Sequence, residues 1–181
     1  DNDIHIVIPV GFIDFLLLSK YKYILEKYTI VPIDDFEKIA ALSNKWYIKK
    51  LAENTGLDYP KTLFLKDKTE ISAVKSFIKE TGFPIVVKGL GDNSKPKFIS
   101  TISGLFKEIN SRIKEGVLLQ EFIAGIGAGY FALSYKGKPM AEYMHRRIFE
   151  INPLGGASVR ASSNFNSEIL FLGRKLLRKV K

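Results

Sequence analysis

Cysteine is absent from the 181 residues. That absence excludes disulfide scaffolds, zinc ribbons, thiolate metal sites and cysteine nucleophiles. The two histidines, His5 and His145, are too few for a multi-histidine metal cage. Long apolar runs are also missing. The stretch Phe12–Leu18 is broken by Asp14 and followed by Lys20 and Lys22, well short of the roughly 20 apolar residues that a bilayer span needs. The chain starts on Asp1 rather than methionine, and no cleavable leader pattern follows. These absences point to a soluble, cytoplasmic protein with no membrane partner. The bare Asp1 start and the basic final turn read as the cut ends of a longer protein.

Hydrophobic residues make up 46% of the chain and charged ones 26%, which is the composition of a folded protein and not of a disordered one. The length allows one domain or two small ones. Basic residues number 28 against 19 acidic, a net charge of +9, so an anionic partner is expected: nucleic acid, a membrane surface or a phosphate-bearing small molecule. The lysines are spread along the chain. The tight cluster Arg174, Lys175, Arg178, Lys179 and Lys181 reads as a solvated helix end complementing the negative pole of the dipole. The aromatic residues lie in apolar stripes and are not interleaved with arginine as on a base-stacking platform.

Periodicity divides the chain into α/β segments. Ile4–Pro9 reads as a strand, Phe12–Tyr28 as a helix and Thr29–Ile33 as a short strand. Asp34 or Asp35 can cap a helix through Leu42, and Ser43 or Asn44 a second one that ends at Gly56. Strands are expected over Thr62–Leu65, Ile85–Lys88, Lys97–Thr101 and Val117–Ile123, with helices over Thr69–Thr81 and Ser103–Glu115 between them. Tyr130–Tyr135 and Lys138–Phe149 form a hairpin around Lys136-Gly137. Pro153–Asn164 reads as loop and Ser167–Lys181 as helix.

Four pieces carry chemistry. Lys45 lies just inside a helix start, where backbone N–H groups and an ammonium favour an anion. Lys88 ends an apolar strand and needs a partner for its charge, either a phosphate or a carboxylate. The following loop holds Gly89, Gly91, Ser94 and Lys95, glycines for close backbone approach and donors suited to phosphate, although it also reads as a simple hairpin turn. The segment Gln120-Glu121-Phe122-Ile123, leaving a strand into a glycine loop, can offer backbone groups to a purine edge.

In this order the four pieces resemble the ATP-grasp superfamily, in its carbamoyl-phosphate-synthase-like, carboxylate–amine ligase branch. The resemblance also rests on Gly56-Leu57-Asp58-Tyr59-Pro60-Lys61-Thr62, on Phe83-Pro84-Ile85-Val86-Val87-Lys88, and on Gly129 to Leu133 followed by His145-Arg146-Arg147-Ile148 and Gly155-Gly156-Ala157-Ser158. It implies an α/β (α+β) fold in which residues 1–34 are the tail of a preceding parallel α/β domain. The ATP-grasp domain would then run over 35–181, with a small nucleotide-binding subdomain at about 60–123 and the start of a second subdomain over 124–181. ATP would be held by Lys45 and Lys88 at its α- and β-phosphates, with Gly89–Lys97 folding over the γ-phosphate. Gln120, Glu121, Phe122 and Ile123 would meet adenine, largely through their backbone. His145 would bind at the phosphates, with Arg146 and Arg147 acting on them or on an acyl phosphate. The substrates would be a small-molecule carboxylate and an amine, and a homodimer is an allowed assembly.

Two departures from the family pattern matter. The stretch Gly125–Gly129 has no acidic residue to meet the ribose. Glu150-Ile151-Asn152-Pro153 looks like the family's metal motif, but it directly follows the arginine pair, too early in the order of elements. No metal ligand is therefore assigned, and the ligands of the Mg²⁺ that bridges β- and γ-phosphates are expected outside this chain, which alone should be catalytically incomplete. A non-catalytic nucleotide-binding or regulatory module with this fold is the alternative. A basic nucleic-acid-binding protein is the least favoured reading.

Overall fold

A computed structural model describes residues 3–67, 70–91, 95–152 and 158–180. The chain divides into two compact units, Asp1–Ile48 and Lys49–Lys181.

The first unit contains helices α1 (Phe12–Lys20), α2 (Lys22–Leu25) and α3 (Phe36–Ser43) and, among the described residues, one parallel bridge between Ile6 and Ile30. The Val7 N–H donates to the Ile30 carbonyl at 2.9 Å, and the Ile30 N–H to the His5 carbonyl at 3.0 Å. Neither expected strand extends further, because a ladder needs a partner at each successive residue and only this one step is paired. The single helix expected over Phe12–Tyr28 is two: Tyr21, at φ −105° and ψ 10°, leaves the helical basin between them. Beyond the break, Lys22 Nζ donates to the Ile33 carbonyl at 2.8 Å, tying α2 to the segment that leads into α3. Asp35 stands at the start of α3 in an extended conformation, without a side-chain capping bond. Asn44 does cap the next helix, α4 (Lys45–Thr55), accepting from the N–H groups of Trp46 at 3.0 Å and Tyr47 at 3.1 Å.

The second unit carries two antiparallel sheets. The first contains β1 (Thr62–Leu65), β2 (Ile85–Gly89), β3 (Lys97–Ile99) and β4 (Val117–Glu121) in the order β1-β4-β2-β3. Helices α5 (Ile71–Thr81) and α6 (Ile102–Arg112) pack on one face of it, followed by a 3-10 turn over Ile113–Glu115. Side chains alternate across a strand, so Leu65, Ile85, Val87, Val117 and Leu119 point to that face, where they form one cluster with Val74 and Phe77 of α5 and Leu105 and Ile109 of α6. β4 stops at Glu121, two residues before the expected end. Its partners stop there too, since Gln120 pairs with Thr62 at the start of β1 and Glu121 with Ile85 at the start of β2. β3 ends at Ile99 in the same way, opposite Ile85.

The second sheet is the meander β5 (Ala128–Tyr135), β6 (Lys138–Glu150) and β7 (Ser158–Ser163). Its first hairpin closes on Lys136-Gly137, with φ of 48° and 75°. These positive values at both central residues match the right-handed twist of the flanking strands. β7 corrects the expectation of loop over Pro153–Asn164. It reads Ser-Val-Arg-Ala-Ser-Ser, every residue exposed, so no apolar alternation marks it. It forms by pairing along β6 with two register shifts. Helix α7 (Ser167–Leu177) follows, its start capped by the Asn166 side chain accepting from the Ile169 N–H at 2.9 Å.

Candidate functional site

Lys88 occupies the penultimate position of β2 and points away from α5 and α6, because its neighbour Val87 points into the core. On that opposite face it meets Gln120, its diagonal neighbour on β4. Lys88 Nζ donates to Gln120 Oε1 at 2.5 Å, and Gln120 Nε2 donates to Thr62 Oγ1 at 3.0 Å. The Thr62 hydroxyl in turn donates to the Pro60 carbonyl at 2.7 Å. This line crosses three strands and fixes the carboxamide's orientation, with its oxygen toward the ammonium. One acceptor for the Lys88 ammonium is thus the neutral carboxamide of Gln120. In the sequence Thr62 is the last residue of the Gly56–Thr62 motif, with no role at the site expected of it. Its part depends on the β1–β4 register, which pairs it with Gln120.

Past Lys88, Gly89, Gly91 and Lys95 line one open groove of about 480 Å³ together with Leu90, Arg112, Glu115 and Gly116. Three of the expected phosphate-loop residues therefore share a surface. The fourth, Ser94, lies outside the described residues, as do Asp92, Asn93, Gly155, Gly156 and Ala157. Gly116, at φ +84°, has Phe64 and Leu90 so close that a Cβ would lie 2.9 Å from the Phe64 ring and 3.1 Å from Leu90. The chain needs a glycine here to enter β4 beneath the groove.

The expected adenine segment divides in two. Gln120 and Glu121 belong to β4. The Glu121 N–H donates to the Lys61 carbonyl at 3.0 Å, and Glu121 Oε1 accepts from the Lys61 N–H at 2.6 Å. The side chains of Gln120 and Glu121 thus serve the sheet. Phe122 and Ile123 lie beyond the ladder: Phe122 sits edge-on to Phe98 with ring centroids 6.0 Å apart, and Ile123 is exposed.

On β6, alternation separates the residues expected to act together. His145 and Arg147 lie on one face and Arg146 on the other, in register with Ser163, Ala161 and Ser162 of β7 respectively. His145 stands opposite Gly129, where a Cβ would come within 2.6 Å of the imidazole, and its ring lies 5.2 Å from that of Phe131 and 6.4 Å from that of Tyr143. The Arg147 N–H donates to the Gly127 carbonyl at 2.7 Å, and its Nη1 to Glu150 Oε1 at 3.2 Å.

The opposite face of this sheet receives α7. Tyr130 and Arg174 both donate to Glu142, the hydroxyl to Oε1 at 2.6 Å and the guanidinium to Oε1 and Oε2 at 2.8 and 2.5 Å. The Arg174 and Tyr130 bonds hold the Glu142 carboxyl down at about 2. Burial, then the bond to Glu142, pushes the Tyr130 phenol up to about 12. Gly173 leaves room for the Tyr130 ring to lie directly against the helix.

Lys45 belongs to the first unit, at the first position of α4, where Asn44 already accepts two of the helix-start N–H groups. Among the described residues no group of three or more acidic or histidine side chains could hold a metal ion. Glu150 is paired with Arg147, and Glu142 with Arg174. The described residues do not fit a Mg²⁺ site. Among the described residues no helix is long and apolar enough to cross a membrane.

No protein-family model and no curated protein matches the chain. Solved structures do. The chain is similar to the VanG D-Ala:D-Ser ligase from Enterococcus faecalis, with 16% identity and a TM-score of 0.68 over 97% of this chain and 56% of that one. It is also similar to PurK, N5-carboxyaminoimidazole ribonucleotide synthetase, in its ADP complex, with 12% identity and a TM-score of 0.64 over 94% and 50%. A third likeness is to the ATP-grasp ligase PsnB complexed with minimal precursor, Mg and ADP, with 19% identity and a TM-score of 0.60 over 92% and 51%. The chain has the ATP-grasp fold, and it spans about half the length of the solved structures it matches.

Proposed function

We propose that this chain is the ATP-binding portion of an ATP-dependent ligase of the carboxylate–amine, carbamoyl-phosphate-synthase-like kind. In this reading residues 1–34 close a preceding α/β domain. Residues 35–181 begin the ATP-grasp domain, with its small subdomain over 60–123 and the second starting at 124. The observation that carries the reading is Lys88, held by Gln120 at 2.5 Å on the sheet face opposite the helices, one residue before the groove of Gly89, Gly91 and Lys95. An ammonium positioned on this face can form a charge-assisted contact with an incoming phosphate, and glycine backbone beside it admits close approach.

Lys88 then neutralises charge on the ATP phosphates, with Lys45 as a second cation. Lys95 and the N–H groups of the glycine segment serve the phosphate end, and the open backbone at Phe122 and Ile123 serves the base. On β6, His145 and Arg147 share the face turned away from α7, so they are the pair assigned to the transferring phosphate, and Arg146 is assigned no contact. A carboxylate oxygen attacks the γ-phosphorus, the bond to the β-bridging oxygen breaks, and ADP leaves. An amine nitrogen then attacks the acyl carbon, and inorganic phosphate departs with the bonding pair. The cations lower the barrier by meeting charge where it develops. Mg²⁺ enters this reading as the companion of ATP, with ligands from outside the described residues.

Calorimetry of ATP binding to the chain and to Lys88→Ala tests the reading. The wild-type chain should bind ATP and the variant should lose about tenfold or more in affinity, the size of a lost charge-assisted contact. A folded Lys88→Ala chain that binds ATP as tightly as wild type overturns it.

A further inference from the structure

Glu108 lies on α6 between residues committed to the core, and it is itself only 7% exposed. A carboxylate in such a place must be paired. Oε2 accepts from Lys97 Nζ at 2.8 Å and Oε1 accepts from Arg112 Nε. Burial pushes this carboxyl up, but the bonds from Lys97 and Arg112 outweigh it and leave it below the ordinary carboxylate range, so it is ionised. The contact does not end there. Arg112 Nη2 donates to the Lys95 carbonyl at 3.4 Å, and Arg112 and Lys95 both line the groove that holds Gly89 and Gly91. Lys97 is the first residue of β3 and pairs with Val87, next to Lys88. One buried carboxylate therefore grips both the residue that starts the return strand and the guanidinium that holds the preceding backbone.

Stability alone does not account for this arrangement. A buried ion pair is often matched or exceeded by an apolar side chain of similar volume, and the neighbouring Leu105 and Ile109 show that the helix face accepts one. What an ionised glutamate adds is direction. With Nε fixed on Oε1, the planar guanidinium has a set orientation that leaves its Nη2 for the Lys95 carbonyl.

We propose that Glu108 is a positioning residue for the phosphate groove: through Arg112 it sets the backbone at Lys95, and through Lys97 it sets the start of β3, so that Lys95 stands ready on the groove wall. The proposal rests on the nucleotide reading of that groove.

The test compares the wild-type chain with Glu108→Gln, which keeps the shape and removes the charge, and with Arg112→Lys, which keeps a cation and removes the fork. ATP and AMP affinities are read by calorimetry, and backbone amide exchange is followed over residues 95–99. Both variants should bind ATP about five- to tenfold more weakly and AMP almost unchanged, with faster exchange over 95–99 and none over 117–121. A purely structural role would weaken ATP and AMP alike, and that result overturns the proposal. So does unchanged exchange over 95–99 in a folded variant, and Arg112→Lys decides the matter should Glu108→Gln fail to fold. A wild-type chain that binds neither nucleotide overturns the nucleotide reading instead, and the positioning role then stands or falls on the exchange alone.

Discussion

The two sheets of the second unit are held by different forces. In the β1-β4-β2-β3 sheet, Ile85, Val87, Val117 and Leu119 are fully buried under α5 and α6, and the polar line Pro60–Thr62–Gln120–Lys88 runs on the other face. In the β5-β6-β7 sheet, Met144 is the buried apolar side chain among the described residues, while Phe131, Leu133 and Tyr143 are exposed. Here the helix is attached through a charged and hydrogen-bonded cluster of Tyr130, Glu142 and Arg174. The core of the first sheet is held by area removed from water, a contribution that does not titrate, and the paired Glu108 carboxylate on α6 adds an ionic part at its margin. In the second, the attachment of α7 includes the ionised Glu142 carboxylate, so that part of its stability follows the carboxylate's titration.

The sharpest way to break this contrast is to hollow out the first sheet. Leu119→Ala should destabilise the second unit by about 2–5 kcal/mol, the loss of a buried leucine plus its cavity. The loss should be the same at pH 4 and pH 8, as read by urea unfolding. A strong pH dependence would mean that this core is coupled to ionisation as well.

Next in size comes the attachment of α7. Glu142 titrates at about 2 when folded against an ordinary 4.5, so its contribution is fully present above about pH 4.5 and lost as pH falls toward 2. Tyr130 titrates at about 12 against 10, so its part is present below pH 10 and lost as pH rises through 12. Glu142→Gln should lower the melting temperature at neutral pH, by less than Leu119→Ala does, and the difference from wild type should shrink to nothing near pH 2. A deficit that persists unchanged at pH 2 would show that shape, not charge, holds the helix to the sheet.

How much of this was legible in the sequence follows the same division. Where apolar period decides, the reading succeeds: Ile71, Val74, Phe77 and Ile78 mark α5, and β1 has the expected bounds of Thr62–Leu65. α5 begins at Ile71, and the expected start at Thr69 lies outside the described residues. The ATP-grasp fold was also legible, from the order of motifs. Where polar partners decide, it fails. β7 has no apolar alternation to betray it, and the break at Tyr21 leaves no glycine or proline in the sequence. The Lys88–Gln120–Thr62 line depends on diagonal neighbours that only the strand register brings together. The separation of Arg146 from His145 and Arg147 follows from strand alternation within the expected strand Lys138–Phe149, but the resemblance groups the three by their order along the chain. The Glu108 cluster requires knowing how α6 lies on the sheet, and no spacing along the chain encodes that.

The smallest expected effect sharpens the comparison at the hairpin that starts the second sheet. Lys136 has φ of 48° and Gly137 φ of 75°. The glycine is at ease there, but a lysine in the left-handed region is not, because its Cβ crowds the backbone. Asparagine tolerates that region better and is favoured before glycine in such two-residue turns. Lys136→Asn should therefore stabilise the chain, by about 0.5 kcal/mol. If the second sheet unfolds separately from the first, the gain should appear only in the amide exchange of β5 and β6 and leave β2 and β4 unchanged. An equal gain in all four strands would show the two sheets unfolding as one cooperative body, and the different forces holding them would then share a single transition.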